Sequence, residues 1–359
     1  MAAKPSKKSE AWVYFDHIVA EAAPKGVHSN PWIRTAHGEL RFAPDFETLQ
    51  LLLGVPLFLK AGTQSGVPAL ALDVWLSYEL RRAGFTPDQV WPRPNHPRIL
   101  PAAVANLSKS LPANLRKPLQ ERVATTSSIK GVTSSSAIIL GKNYTKQVDV
   151  IITDWATGPE LLISTKRMDS SYGKNAANRV EESYGDAKNL RLRYPLAALG
   201  FVFGLRSDIL EKEAKKAEWL FDLLTKLGQE DDAYHATCLV LMDYADSVAV
   251  PDEDIEAEES ESLEPGPEAE EDDADLPAAI PKAAIGTAIK QLPQVSILHE
   301  RTPNELAPGR FLEALVSRIL AATPINMHEG ARNCRASAAS ESETFDARTV
   351  DQTEIDQEG

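Results

Sequence analysis

The run QVDVIITDWATGPELLISTK, residues 147–166, sets one acid, Asp149, on a short apolar stretch and one lysine, Lys166, at the end of the next. Both stretches are rich in β-branched residues and flank the turn-forming DWATGP, so they read as the two strands of a hairpin. With the turn at Asp154 to Pro159, Thr153 pairs with Glu160 and Asp149 falls opposite Ser164. Lys166 then lies opposite Gln147, one diagonal step from Asp149. Side chains alternate between the faces of a sheet, so Asp149, Ser164 and Lys166 share a face, with Cβ atoms about 5 to 8 Å apart. Val148, Val150, Ile152, Leu161 and Ile163 fill mainly the other face, and a slip of one residue would separate the set. Such a carboxylate holds a divalent cation, and the lysine beside it orients water and offsets the charge of a phosphate. An acid and a lysine on facing strands also form ordinary surface ion pairs of little energetic worth, so the spacing alone does not decide between the two.

A single carboxylate holds Mg²⁺ weakly, and a second one is needed. The hairpin resembles the core of the PD-(D/E)xK nucleases, the restriction-endonuclease-like superfamily, in which an acid on one strand faces (D/E)xK on the next. Val148 stands where that pattern usually has proline, and Ser164 stands where it has the acid before the lysine. Some restriction endonucleases of the superfamily carry SxK and take the missing carboxylate from a glutamate about a dozen residues later, on the following helix. Here Ser164–Thr165–Lys166 is followed by Glu181 and Glu182 after 14 and 15 intervening residues, which is similar to that rearranged pattern. At about 100° per residue, Glu181 lies roughly 110° from the centre of the apolar stripe formed by Val180, Tyr184 and Ala187, whereas Glu182 turns to solvent. Glu181 is therefore the expected second metal ligand and Glu182 the reserve. Glu160, roughly 20 Å away along its strand, is discounted. An acid from an earlier helix often joins such sites, and Glu121 and Glu79 are the candidates for it.

The resemblance implies a Mg²⁺-dependent endodeoxyribonuclease, with Mn²⁺ as a substitute cation, most similar to type II restriction endonucleases and acting in defence against foreign DNA. In it Asp149, Lys166 and Glu181 are catalytic, and Asp149 and Glu181 bind the metal. The expected partners are double-stranded DNA and a second copy of the chain. The loops around the hairpin suit a phosphate backbone: Lys142, Asn143, Lys146, Arg167, Lys174, Asn178 and Arg179 crowd one end, and Tyr144 and Tyr172 are placed to stack on bases. The alternative is a non-catalytic DNA-binding or interaction protein on the same fold, disabled by the loss at Ser164. A junction resolvase or repair nuclease is a third reading.

The elements that must position these residues are legible in outline. Residues 1–125 read as a mostly helical N-terminal region, including a strong amphipathic helix over 67–85 and one broken at Pro118. Strands are expected at 135–140, 147–153, 160–166, 196–205 and 236–244, with helices over 175–194 and 208–228 between the later ones. Hairpin, helix, strand, helix and strand in that order predict an α/β fold, a mixed sheet flanked by helices, forming a nuclease core over 126–250. Residues 251–285 read as an acidic disordered linker, 286–327 as a strand and helix completing the core, and 328–359 as a disordered tail.

The net charge of −14 is unevenly spread. Residues 251–275 hold 14 acids and no base, and residues 329–359 carry a further −5, which leaves the remainder near +5. A mildly basic body with acidic appendages is compatible with a nucleic-acid binder. The two cysteines, Cys238 and Cys334, make neither a metal pair nor a disulfide framework. The scattered histidines show no zinc spacing, and no phosphate loop or GxSxG elbow is present. No signal peptide or membrane-length apolar run is evident, so a cytoplasmic protein is expected.

Overall fold

The structure, a computed structural model, describes residues 5–126, 129, 132–134, 136–250 and 276–338, and for 173–175 and 177 the backbone alone. The acidic stretch 251–275 and the end of the expected tail, 339–359, lie outside the described residues.

The N-terminal part is helical, as its periodicity predicts. Helix α1 (Lys7–Ala22) starts where the Ser6 side chain accepts a hydrogen bond from Ser9 N at 3.0 Å, the usual N-cap device. A small hairpin of β1 (Trp32–Arg34) and β2 (Leu40–Phe42) follows. Asp45 caps α2 (Phe46–Phe58) by accepting from Thr48 N at 3.0 Å. Next come α3 (Val67–Arg82) and the two-residue strand β3 (Val90–Trp91). Helices α4 (Ala102–Ser110) and α5 (Ala113–Thr125) close this part. Helix α5 runs through Pro118 instead of breaking there. It buries none of its residues, so the carbonyl freed by the proline stays open to water.

The β-rich part begins with β4 (Ala137–Leu140) and β5 (Thr145–Val148), which pair only with each other among the described strands. Then come β6 (Val150–Asp154), the long β7 (Gly158–Met168), helix α6 (Tyr172–Arg191) and β8 (Ala198–Arg206). The expected single helix over 208–228 is two pieces, α7 (Ile209–Lys212) and α8 (Ala214–Leu227), followed by β9 (Ala236–Asp243). Helix α9 (Lys282–Ile289), strand β10 (Ser296–Ile297) and helix α10 (Pro308–Ala322) complete the assigned elements.

The six-stranded sheet has the order β10-β9-β8-β7-β6-β3. Its centre, β7-β8-β9, is parallel; the outer pairs are antiparallel. Helices α6 and α8 are the crossovers between the parallel strands, which such pairing requires. One core packs α1, α2, α3 and α10 on one face of the sheet; a second packs α6 and α8 on the other. Strand β8 is buried along its whole length, as befits a strand covered on both sides. Its two glycines set helix distances: a Cβ on Gly200 would meet Phe311 and Leu315 of α10 at 2.7 Å, and one on Gly204 would meet Leu72 of α3 at 2.9 Å.

Two expected boundaries move. The acidic linker ends before residue 276, not at 285: Ala278 N donates to Ser9 O at 3.1 Å, and α9 buries Ile285 and Ala288. The tail, expected from 328, begins with a helical stretch at 329–338 whose Ala331 and Ala338 enter the first core. In both places small apolar residues find a partner surface that local composition does not reveal. Among the described residues, no helix is long and apolar enough to cross a membrane.

Candidate active site

The expected hairpin is present with its register. Val150 pairs with Ile163, Ile151 with Leu162 and Ile152 with Leu161, which carries Asp149 to the level of Ser164. Beyond Ile152 the register shifts: Thr153 pairs with Pro159 rather than Glu160, and the turn is confined to Trp155, Ala156 and Thr157. The expected strand over 147–153 is bent at Asp149, between β5 and β6. There Asp149 N still donates to Ile163 O at 3.2 Å, and the side chain takes over as acceptor: Asp149 Oδ2 receives the Thr165 amide at 2.7 Å.

Thr165 also faces the other way. Its hydroxyl donates to Asp73 Oδ1 at 2.5 Å, on α3. Two carboxylates from distant parts of the chain thus hold the same threonine, one by its amide and one by its side chain. Asp73 is brought there by the close seating of α3 on the sheet, where Gly204 lies under the neighbouring Leu72. Burial, first, and the charge of Asp149, second, push the Asp73 carboxyl well above the ordinary carboxylate range; the Thr165 hydrogen bond, Lys8 and Lys166 pull the other way. Lys166 follows Thr165 on β7, is half-buried, and among the described residues has no carboxylate within ion-pair distance. Asp73, Asp149 and Lys166 therefore form one electrostatic group.

Ser164, where an acid was expected by analogy, is buried and hydrogen-bonds the Tyr234 hydroxyl, which itself donates to Ser183 O at 2.9 Å. Beside it Lys146 and Asp186 form a buried ion pair at 3.0 Å, with Tyr144 Oη 3.3 Å from Asp186. Asn189 fastens the β4–β5 turn to α6: its Oδ1 accepts from Asn143 N at 2.8 Å and its amide donates to Tyr144 O at 3.1 Å. A Cβ on Gly141 would lie 2.1 Å from Asn189, so the close approach there requires glycine.

The other expected site residues fall into three groups. Lys142 and Asn143 are exposed on the β4–β5 turn, Asn178 is exposed on α6, and Arg179 lies 3.5 Å from Glu182. The side chain of Lys174 lies outside the described residues. Lys146 and Arg167, expected to meet phosphates, are instead turned inward: Lys146 to Asp186, and Arg167 to Asp169 at 2.7 Å and Pro68 O at 3.3 Å. Tyr172 is likewise buried, with its hydroxyl on Asp169 O and Asp208, so it does not present a ring for stacking.

Glu181, the expected second ligand, is exposed on α6, and no described contact brings it to Asp149. The reason is helix phase. Ser183, Asp186 and Asn189 are buried although polar, whereas Tyr184 is partly exposed, so the inward side of α6 centres roughly 150° or more from Glu181. Glu121 is exposed on α5, and Glu79 is buried in a structural pair with Arg82 at 2.7 Å. The acid from an earlier helix is Asp73, six positions before Glu79. The available sequence signal was a lone acid inside the apolar run VPALALDVWL.

The donor set suits a hard divalent cation. Two adjacent carboxylates, one buried beyond its ordinary ionisation range, are a costly arrangement that positive charge relieves. Mg²⁺ commonly takes one or two protein carboxylates and completes its shell with water and substrate phosphate. Among the described residues no group of three or more His, Cys, Asp or Glu is gathered for a metal.

Comparison with protein-family models, with curated proteins and with solved structures finds no match to the chain.

Proposed function

We propose that the protein is a Mg²⁺- or Mn²⁺-dependent endodeoxyribonuclease acting on duplex DNA. The observation that carries this reading is the meeting of Asp73 and Asp149 on Thr165, with Lys166 the next residue along the same strand. Asp73 and Asp149 would hold the cation, in place of the Asp149–Glu181 pair expected from the sequence. A bound divalent ion supplies Lewis-acid activation of water and neutralises phosphate charge. Thr165 fixes the direction of both carboxylates through two donors, and Lys166 would orient the attacking water and the scissile phosphate from the side. The near +5 charge of the chain outside its acidic stretches favours a polyanionic substrate. A role in defence against foreign DNA follows only from the resemblance of the hairpin to restriction endonucleases.

The second reading, a DNA-binding or interaction protein without catalysis, draws support from the exposed position of Glu181 and the inward-turned Lys146 and Arg167. The two are separated by incubating supercoiled and linear duplex DNA with the protein and Mg²⁺ or Mn²⁺. Cleavage that disappears in both Lys166→Ala and Asp149→Asn supports the nuclease. DNA binding with no cleavage by the wild type rejects it in favour of the second reading.

A further inference from the structure

A narrow cleft between α1, α3 and the loop after β3 gathers buried donors that the protein itself leaves without acceptors. It is walled by Trp12 and Asp16 of α1, Ser77 and Arg81 of α3, and Pro92 and Arg93 of the loop; its other lining residues are apolar. Trp12 is 3% exposed and Arg81 4%. Buried N–H groups ordinarily find an acceptor. Among the described residues, neither the Trp12 indole Nε1 nor Arg81 Nε has one. The space open to a guest is about 10 Å³, room for one water-sized atom.

The charge around the cleft is unbalanced in the same direction. Arg98 gives both Nη groups to Asp16 at 2.8 Å, and its guanidinium lies 3.7 Å from the centre of the Trp12 ring. Arg93 gives Nε and Nη2 to Asp88 Oδ1 at 3.0 and 2.8 Å, while Lys109 holds the other oxygen. Arg81 meets neutral acceptors alone, Pro92 O at 3.1 Å and Ser77 Oγ at 3.2 Å. Three guanidinium groups thus share two carboxylates, and Arg81 is the one left without a counter-charge. Burial, then Arg98, lower the Arg81 pKa from 12.5 to about 9, the direction an uncompensated buried cation takes.

We propose that this cleft binds one monatomic anion, of the chloride class, between the Trp12 indole N–H and the Arg81 guanidinium. Water could accept from both donors but brings no charge to set against Arg81, and a buried charge is costly unless it is paired. A whole phosphate or sulfate is too large for the space. Asp16, the one carboxylate in the wall, does not compete, since Arg98 engages both of its oxygens. Bound there, the anion would join α1, α3 and the loop after β3 at a single point. The site needs neither a divalent cation nor DNA, so it stands whether or not the protein cuts DNA.

The test is differential scanning calorimetry of the full chain at constant ionic strength, with sodium gluconate exchanged for sodium chloride up to about 150 mM. EDTA keeps divalent cations from the Asp73–Asp149 pair, so a response to chloride is not a response of that pair. With a Kd of about 1 to 10 mM, the wild type is expected to melt about 2 to 4 °C higher in chloride, along a saturating curve, and similarly in bromide. Arg81→Met keeps the bulk, removes the charge and is expected to lose the rise. Trp12→Phe keeps a ring under Arg98, removes the N–H and is expected to move the midpoint about tenfold higher in chloride. Circular dichroism checks that each variant is folded, and Trp12→Phe alone decides if Arg81→Met is not. A wild type that does not respond to chloride, or folded variants with the same rise and midpoint, overturns the proposal. So does a rise with inorganic phosphate that Arg81→Met abolishes while chloride has no effect, which assigns the cleft to an oxyanion instead.

Discussion

Replacing Asp73 by asparagine distinguishes a cation site from an accidental pair of buried acids. Asparagine keeps the shape and the Oδ1 that accepts the Thr165 hydroxyl at 2.5 Å, and removes only the charge beside Asp149. Two full charges reaching one threonine, at roughly 5 Å and an effective dielectric near 20, repel by about 3 kcal/mol. Lys8 and Lys166 offset part of this, and Asp73 escapes more of it by holding its proton. A net gain of about 1 to 2 kcal/mol is expected for Asp73→Asn without cation, seen as a melting temperature about 1.5 to 3 °C higher. A carboxyl whose pKa is raised by folding contributes stability that is present below the ordinary carboxylate range and is lost as pH rises through the raised value. The gap between variant and wild type should therefore widen as pH rises above the ordinary carboxylate range. Saturating Mg²⁺ should reverse the order: the wild type gains about 2.7 kcal/mol at one hundred times its Kd, and the variant gains little. Differential scanning calorimetry with and without Mg²⁺ reads all three. A variant that melts below the wild type without cation, or gains as much from Mg²⁺, refutes the assignment of Asp73 and Asp149 as a cation pair.

Other outcomes follow from the same structure. Glu181→Ala should leave cleavage within about twofold of wild type, since the residue is exposed on α6; a loss comparable to that of Asp149→Asn would restore it to the site. Gly204→Val should cost about 1 to 3 kcal/mol by overpacking against Leu72 and Met242, and should reduce the Mg²⁺ stabilisation as well if α3 carries a ligand; urea unfolding gives both numbers. Glu160 and His328 face each other at 2.8 Å, almost wholly buried, so Glu160→Leu should destabilise by about 1 to 3 kcal/mol, as measured by melting. Burial, then Arg318 and Arg191, lower the His235 pKa from 6.5 to about 4, so its contribution is present above pH 6.5 and lost as pH falls towards 4. Discounted for partial exposure this is about 1 to 2 kcal/mol, and His235→Asn should flatten the acid side of the stability profile.

Much of the sheet could be read from the chain because its signals are local. The β-branched runs at 150–154, 160–166 and 236–243 and the turn residues between 154 and 159 specify strands within a few positions of where they form. The hairpin register followed from placing the turn at 154–159; it holds up to Ile152 and fails past it, where a bulge leaves Glu160 out of the ladder. The second carboxylate was illegible for a different reason. Asp73 and Thr165 are 92 positions apart, and their meeting depends on how near α3 can lie to β8, which Gly204 decides from a third place in the sequence. Glu181 was favoured because apolar residues were taken to define the inner side of α6. Polar Ser183, Asp186 and Asn189 share that side with Val180, Ala187 and Leu190: the Ser183 hydroxyl turns back onto Arg179 O, Asp186 pairs with Lys146, and Asn189 fastens the β4–β5 turn. Periodicity of hydrophobicity marks burial against apolar surface and is blind to burial against hydrogen-bonding surface.

Thr165 has one further implication, for how such a centre could drift over generations. Because its main-chain donor serves one acid and its side-chain donor the other, only half of the support is encoded by residue identity. Exchange for valine would leave Asp149 anchored and release Asp73 alone; exchange for serine would spare both. The position nearest the chemistry is thus open to a second residue type, while its two acidic neighbours are not.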